Sequence, residues 1–203
     1  HQPVEQLVSL RAVPGLLVFR PADANEVTET WRLVGSLKHE PAVIVLSRQA
    51  LPTLDRGQLA PASGVNQGAY VLADPPDGGE PDVILLATGS EVHLVLEARD
   101  ELAKQGIGAR VVSMPCWELF DRQPEGYRNS VIPPSVKARV AVEQASTLGW
   151  DRYVGDGGTV VGMHTFGASA PLKQLLTKFG FTPEQVTEVA KQCVSAQRTS
   201  TDG

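Results

Sequence analysis

Ser47, Arg48 and Gln49 are the residues whose type and position best suit binding chemistry. They follow the apolar run Ala42–Leu46, which is short, rich in β-branched residues and typical of a buried strand. Ligands of parallel sheets gather at the carboxyl ends of strands, where a guanidinium can fork onto a phosphate or a carboxylate. A salt bridge to a neighbouring loop is the more common role for a single arginine, so Arg48 alone leaves both roles open.

Two other stretches fit anion binding less well. Gly155–Gly158 departs from the dinucleotide fingerprint because Val160 follows it and no helical pattern comes next, so we predict a loop or tight turn. Thr88–Glu91 marks a turn into a helix, whose first N–H groups can bind an anion. Glu91 already places a negative charge at that end, which favours helix capping by Ser90 instead.

The titratable side chains elsewhere form no recognisable motif. His39 and His164 lack the partner spacing of a metal site or a catalytic triad, and His164 fits a packing role better than a catalytic one. His93 fits a surface or half-buried position. Glu143 follows the apolar strand Arg139–Val142, and a functional role, a cap and an interface contact all remain open for it.

A strand–helix–strand unit would position Arg48. Leu16–Phe19 is a continuous apolar run bounded by glycine and proline, as buried strands often are. Asp23 and Glu26 have the spacing of a capping box, so we predict that a helix begins there. The apolar residues of that helix share one face, which we expect to be buried: Val27, Trp31 and Val34.

Glycine and proline punctuate residues 50–82, which predicts an interdomain linker within that span. Beyond it, apolar strand patterns alternate with helical ones up to a last helix that opens at Thr182 with an N-cap, a proline and a capping-box glutamine. We expect Ser195–Gly203 to fray. The alternation predicts an α/β fold with an open, mostly parallel sheet covered on both faces.

The charge balance narrows the classes of partner. Eighteen basic and 23 acidic side chains leave a net charge of −5, which argues against nucleic-acid binding and against anionic membranes. No apolar run approaches the ~18 residues of a membrane-spanning helix. Because the chain lacks an initial Met and passes directly into helix-like residues, we expect it to be a piece of a longer protein.

Several motifs, in order along the chain, resemble the transketolase family. The resemblance extends to about Val194, and the Ser-Arg-Gln and Phe-Gly-Ala-Ser-Ala-Pro signatures make it specific. The matching segments are His1–Glu5, Arg20–Asp23, Leu46–Gln49, Ala87–Glu91, Arg110–Pro115 and Phe166–Pro171.

The resemblance implies an enzyme that moves a two-carbon ketol unit between sugar phosphates with thiamine diphosphate and a divalent metal, usually Mg²⁺ or Ca²⁺. It implies that His1 and Arg48 bind the terminal phosphate of the sugar. No catalytic, cofactor-binding or metal-binding residue of the family falls within this chain. We therefore expect the fragment alone to be inactive and to bind no cofactor, and its parent to be a cytoplasmic homodimer that contacts neither nucleic acid nor membrane.

By this resemblance, residues 1–70 are the end of the pyrimidine-binding domain, 71–82 are a linker and 83–203 are the C-terminal domain. The predicted fold class is α/β, with a mostly parallel, doubly wound sheet preceded by a truncated α/β unit. Two alternatives remain open: a free-standing module for dimerisation or anion binding, and another thiamine-dependent enzyme of the same architecture.

Overall fold

A computed structural model describes residues 2–201, in which strands and helices alternate as predicted. The strands are β1 (Leu17–Phe19), β2 (Ala42–Ile44), β3 (Tyr70–Ala73), β4 (Val83–Ala87), β5 (Ala109–Ser113), β6 (Arg139–Ser146) and β7 (Thr159–Met163). The α-helices are α1 (Gln6–Arg11), α2 (Ala24–Ser36), α3 (Glu91–Lys104), α4 (Trp117–Asp121), α5 (Glu125–Val131), α6 (Asp151–Val154), α7 (Leu172–Phe179) and α8 (Pro183–Thr201). A 3₁₀ helix spans Ala62–Gln67.

The first unit, made of α1, β1, α2 and β2, contains the predicted strand–helix–strand element. Strands β1 and β2 pair in parallel, with Leu17 opposite Ala42 and Phe19 opposite Ile44. The Glu26 N–H donates to Asp23 Oδ1 at 2.9 Å, which confirms Asp23 as the N-cap of α2.

The prediction that Trp31 is buried is wrong. Its side chain is 60% exposed, whereas Glu26 and Thr30 are fully buried on the same helix. The buried face thus lies about one residue, or roughly 100° of helix rotation, away from the predicted one. Hydrophobic periodicity missed this face because two of its positions carry polar side chains.

Strand β2 is also less covered than predicted. All three of its residues are half-buried, and Leu46, two residues beyond it, is 56% exposed. Strand β1 is fully buried because α1 and α4 also contact it, so β2 forms the outer, less covered edge of this two-stranded sheet.

The second unit is a five-stranded sheet with strand order β3-β5-β4-β6-β7. All pairs are parallel except the antiparallel pair of β3 with β5. Alternate residues of β4 pack into two different apolar clusters, one with α3 and α8 and the other with α4, α5 and α6. Helices therefore cover both faces, which confirms the predicted α/β, doubly wound class.

Strand β3 belongs to this second sheet, although it overlaps the predicted linker at 71–82. The division into 1–70, 71–82 and 83–203 stays a prediction. The first residue of the predicted linker, Val71, pairs with Val112 of β5.

The last helix begins as predicted, with the Gln185 N–H donating to Thr182 Oγ1 at 3.3 Å. The expected fraying from Ser195 is wrong for the described residues, because α8 continues to Thr201. None of the helices within residues 2–201 is long and apolar enough to cross a bilayer.

Candidate functional site at the junction of the two units

Arg48 lies in the exposed segment after β2, at the predicted carboxyl edge of the first sheet. The Ser47 hydroxyl donates to the Gln49 carbonyl at 2.9 Å and closes a turn around it. The Arg48 guanidinium has no hydrogen-bond or ion-pair partner among residues 2–201. The competing salt bridge is thus not formed there, and the guanidinium is free to bind a phosphate or a carboxylate.

His1, the other predicted phosphate ligand, lies outside the described residues. The chain just after it is held against the second unit, since the Gly167 N–H donates to the Gln2 carbonyl at 2.9 Å and the Ser146 N–H donates to the Val4 carbonyl at 3.0 Å. The role of His1 stays a prediction.

Arg20 follows β1 and reaches into the carboxyl edge of the second sheet. Helix α3, which follows β4, packs on one face of the sheet, and helix α6, which follows the neighbouring strand β6, packs on the other. Sheets of this class usually bind ligands in the crevice that opens between two such connections. Arg20 Nη1 donates to the Thr88 carbonyl at 2.8 Å and to the Glu91 carboxylate, and it lies 3.7 Å from Glu143 Oε1. The first unit therefore fills this crevice with a guanidinium.

Glu143 is the second acid of the crevice and is 1% exposed. Arg11 Nη1 and Nη2 each donate to one of its carboxylate oxygens at 2.8 Å, which is a bidentate pair. The Trp150 indole N–H donates to Glu143 Oε2 at 2.9 Å. The Arg11 guanidinium also stacks on the Trp117 ring, 3.7 Å from its centroid.

These contacts decide the charge states in the crevice. Burial alone would raise the pKa of Glu143, but the hydrogen bonds and charge of Arg11, together with the charge of Arg20, hold that pKa below its usual value. Burial would likewise lower the pKa of Arg20, but Glu91 and Glu143 raise it. Glu143 and Arg20 therefore stay charged at neutral pH and stabilise each other.

A second polar cluster holds the start of α2 against the same sheet. Glu26 Oε1 accepts hydrogen bonds from Tyr70 Oη at 2.7 Å and from Ser113 Oγ at 2.6 Å. The Ala22 N–H donates to Glu26 Oε2 at 2.8 Å. Complete burial raises the pKa of Glu26, and Arg56, 4.0 Å away, offsets only part of that effect.

The structure also tests the sequence predictions for Ser90, His93 and His164. Ser90 precedes α3, but its side chain makes no capping hydrogen bond, so capping by this side chain is wrong. His93 is half-buried as predicted, with Nε2 3.1 Å from the Ala22 carbonyl, to which it donates. His164 is exposed after β7, so its predicted packing role is wrong.

The geometry leaves Arg48 as the available binding group of this region. The crevice carboxylates Glu91 and Glu143 are both paired with arginines. Within residues 2–201 no group of three His, Cys, Asp or Glu side chains could hold a metal ion.

Sequence reasoning missed Arg11 and Arg20 and left Glu143 unassigned. One signal was available: Glu143 comes directly after the apolar run Val140–Val142, and a carboxylate buried there needs a cation. Its partner lies 132 residues away in sequence, so the pair itself was not predictable.

Two protein families match this chain. Residues 68–182 match the family described as "Transketolase-like TK C-terminal domain", and residues 1–53 match "Transketolase, pyrimidine binding domain". The first match covers more than half of the chain. The order of the two matches agrees with the two units of the fold.

Individual relatives give the same result over nearly the whole chain. The chain is 51% identical to the transketolase of Aquifex aeolicus over 186 residues, which is 92% of this chain and 27% of the relative. It is 46% identical to the chloroplastic transketolase of Solanum tuberosum over 194 residues, 95% of this chain and 26% of the relative.

A solved structure has the same fold. The transketolase of Pichia stipitis, in complex with sedoheptulose-7-phosphate, superposes with a TM-score of 0.89 and 38% identity over 98% of this chain and 28% of that protein. This chain therefore spans little more than a quarter of the proteins that it matches.

Proposed function

Since this chain belongs to the transketolase family, we propose that its parent transfers a two-carbon ketol unit from a ketose phosphate to an aldose phosphate. The observation that carries this proposal is Arg48, an exposed guanidinium with no partner in the described chain, at a sheet edge suited to ligands. This chain is the C-terminal fragment of such an enzyme.

We assign Arg48 to the terminal phosphate of the sugar, with His1 as its expected neighbour. A planar guanidinium binds phosphate through two parallel hydrogen bonds and fixes the position of the sugar without entering the bond-making steps. The Pichia stipitis relative was solved with a sugar phosphate, which is a ligand of this kind.

Thiamine diphosphate with Mg²⁺ or Ca²⁺ would supply the carbanion chemistry of the parent. The residues described here do not fit the metal, because the buried crevice acids Glu91 and Glu143 are neutralised by arginines and no metal-binding cluster occurs within residues 2–201. We therefore place the metal on parts of the parent outside this chain. By the family resemblance we propose the same for the diphosphate-binding part of the cofactor site, and we expect the chain alone to be inactive.

We further propose that the parent is a cytoplasmic homodimer. Trp31, Leu46 and Phe166 are large apolar residues exposed in this chain, at 60%, 56% and 74%. The remainder of the parent or a second copy would cover them. The potato relative is chloroplastic by name, so localisation of the tagged parent separates the two compartments.

The test is a ketol-transfer assay on the gene product isolated from its source, with thiamine diphosphate and Mg²⁺ added, combined with its intact mass. We expect a mass about three times the 21.7 kDa of this chain and transfer between pentose phosphates, with no transfer by this chain alone. A mass near 21.7 kDa without activity would contradict the enzyme and favour the free-standing module.

A further inference from the structure

A cleft of about 440 Å³ opens on the second unit, beside α4, α5 and α6. Its lining carries four basic side chains and one acid: Arg128, Lys137, Arg139, Arg152 and Asp121. This excess of positive charge lies on a chain whose net charge is −5. None of the lining residues belongs to the first unit, and Arg48 is not among them.

Arg139 supplies a fixed positive charge in this cleft. Its guanidinium donates to three backbone carbonyls at 2.8, 3.0 and 2.9 Å, those of Val136, Pro133 and Tyr153. No carboxylate among the described residues pairs with it. Burial lowers the pKa of Arg139, as expected for a cation that lacks a counter-anion, although an arginine stays charged.

Two further cations of the cleft are unpaired. Neither Arg128 nor Lys137 has a hydrogen-bond or ion-pair partner for its side chain within the described part of the chain, and Arg128 Nε is buried without a hydrogen-bond acceptor. Only Arg152 is neutralised, by Asp121 at 2.9 Å. Three positive charges therefore line one small volume with no carboxylate of the described residues paired to them, and a cleft lined by one sign of charge attracts an anion.

We propose that this cleft binds a small phosphorylated metabolite, with its phosphate between Arg128, Lys137 and Arg139. Three cations suit a group that carries about two negative charges better than a single carboxylate. Phe120, Ile132 and Pro134 form an apolar part of the wall that the carbon skeleton of the ligand would contact. The volume falls in the range of small-molecule sites, about 300–1,000 Å³.

The test is calorimetric titration of the full chain with inorganic pyrophosphate. We expect binding by the wild type, and at least about tenfold weaker binding by Arg128→Gln and by Lys137→Gln, since each loses a charge-assisted contact. Arg32→Gln, which removes an exposed arginine of the first unit, is the matched control and should bind as the wild type does. Acetate should bind far more weakly than pyrophosphate.

Arg48→Ala separates this site from the proposed sugar-phosphate role. Pyrophosphate binding that persists in Arg48→Ala and weakens in Arg128→Gln supports the cleft. Binding lost in Arg48→Ala, binding unchanged in an Arg128→Gln/Lys137→Gln double variant, or no binding at about 10 mM pyrophosphate would each overturn it. Circular dichroism of each variant verifies that it is folded.

Discussion

Arg11 and Glu143 form a two-pronged ion pair, with both nitrogen–oxygen distances at 2.8 Å, across 132 residues of sequence. Arg11 ends α1 in the first unit and Glu143 lies in β6 of the second. Because Glu143 is almost fully buried, this pair and the adjacent Arg20 hold the two units together with charges that water does not screen.

Removing the carboxylate charge should strongly destabilise the protein. Glu143→Gln leaves Arg11 buried without its anion, although Arg20 keeps Glu91, and breaking a buried pair in this way costs about 3–5 kcal/mol. Urea denaturation measures the change in unfolding free energy. Glu101→Gln, on the exposed face of α3, is the control and should leave that free energy nearly unchanged; equal effects of the two variants would exclude a special role for Glu143.

The same carboxylate predicts how stability depends on pH. The pKa of Glu143 is lower in the folded protein than its usual value of 4.5, so its contribution to stability is present above that value and is lost as the pH falls through the folded pKa. Denaturation midpoints measured from about pH 6 to about pH 3 should fall more for the wild type than for Glu143→Gln. Parallel acid profiles would show that Glu143 does not carry this dependence.

Gly89 tests the fit of Arg20 in the crevice. Its φ is +61°, and a Cβ at this position would lie 2.8 Å from the Arg20 side chain. Gly106 also has a positive φ, +72°, but a Cβ there meets no atom within 4 Å. We expect Gly89→Ala to lower the free energy of unfolding by ~1–3 kcal/mol more than Gly106→Ala does, because of overpacking. Thermal denaturation measures the difference. Similar losses in both variants would mean that only backbone strain matters.

Alanine substitutions at Trp31 and Phe19 compare the stability contributions of an exposed and a buried aromatic residue of the first unit. Because Trp31 is 60% exposed in this chain, Trp31→Ala should cost less than about 1 kcal/mol of stability. Phe19 is fully buried, and Phe19→Ala should cost about 3–5 kcal/mol. Thermal denaturation of this chain measures both, and a large loss in Trp31→Ala would contradict the exposed position.

Arg48→Ala in the parent enzyme should raise the KM for phosphorylated acceptors by roughly 10- to 150-fold, because a charge-assisted contact to phosphate is lost. Acceptors without a phosphate should be affected far less. Steady-state kinetics with both kinds of acceptor provide the measurement, and Arg32→Ala, which removes another exposed arginine of the first unit, is the control. Equal losses with both acceptors would remove the phosphate role.

The sequence alone predicted the strands and most of the helices in their order, although it predicted no helix at α5 or α6. Apolar runs bounded by glycine and proline mark strands, and Asp23 and Thr182 mark helix starts, because these signals act between residues close in the chain. The same local reasoning put Arg48 just beyond a strand. The family resemblance also rested on short contiguous motifs, and the family matches confirm it.

Only the tertiary structure decided which charged side chains are buried. Glu26 is buried where Trp31 was expected, because hydroxyl groups of Tyr70 and Ser113, distant in sequence, satisfy its carboxylate. Glu143 is compensated by Arg11 for the same reason. Burial of a charge depends on partners that the fold brings together, and no pattern within one segment of sequence contains that information.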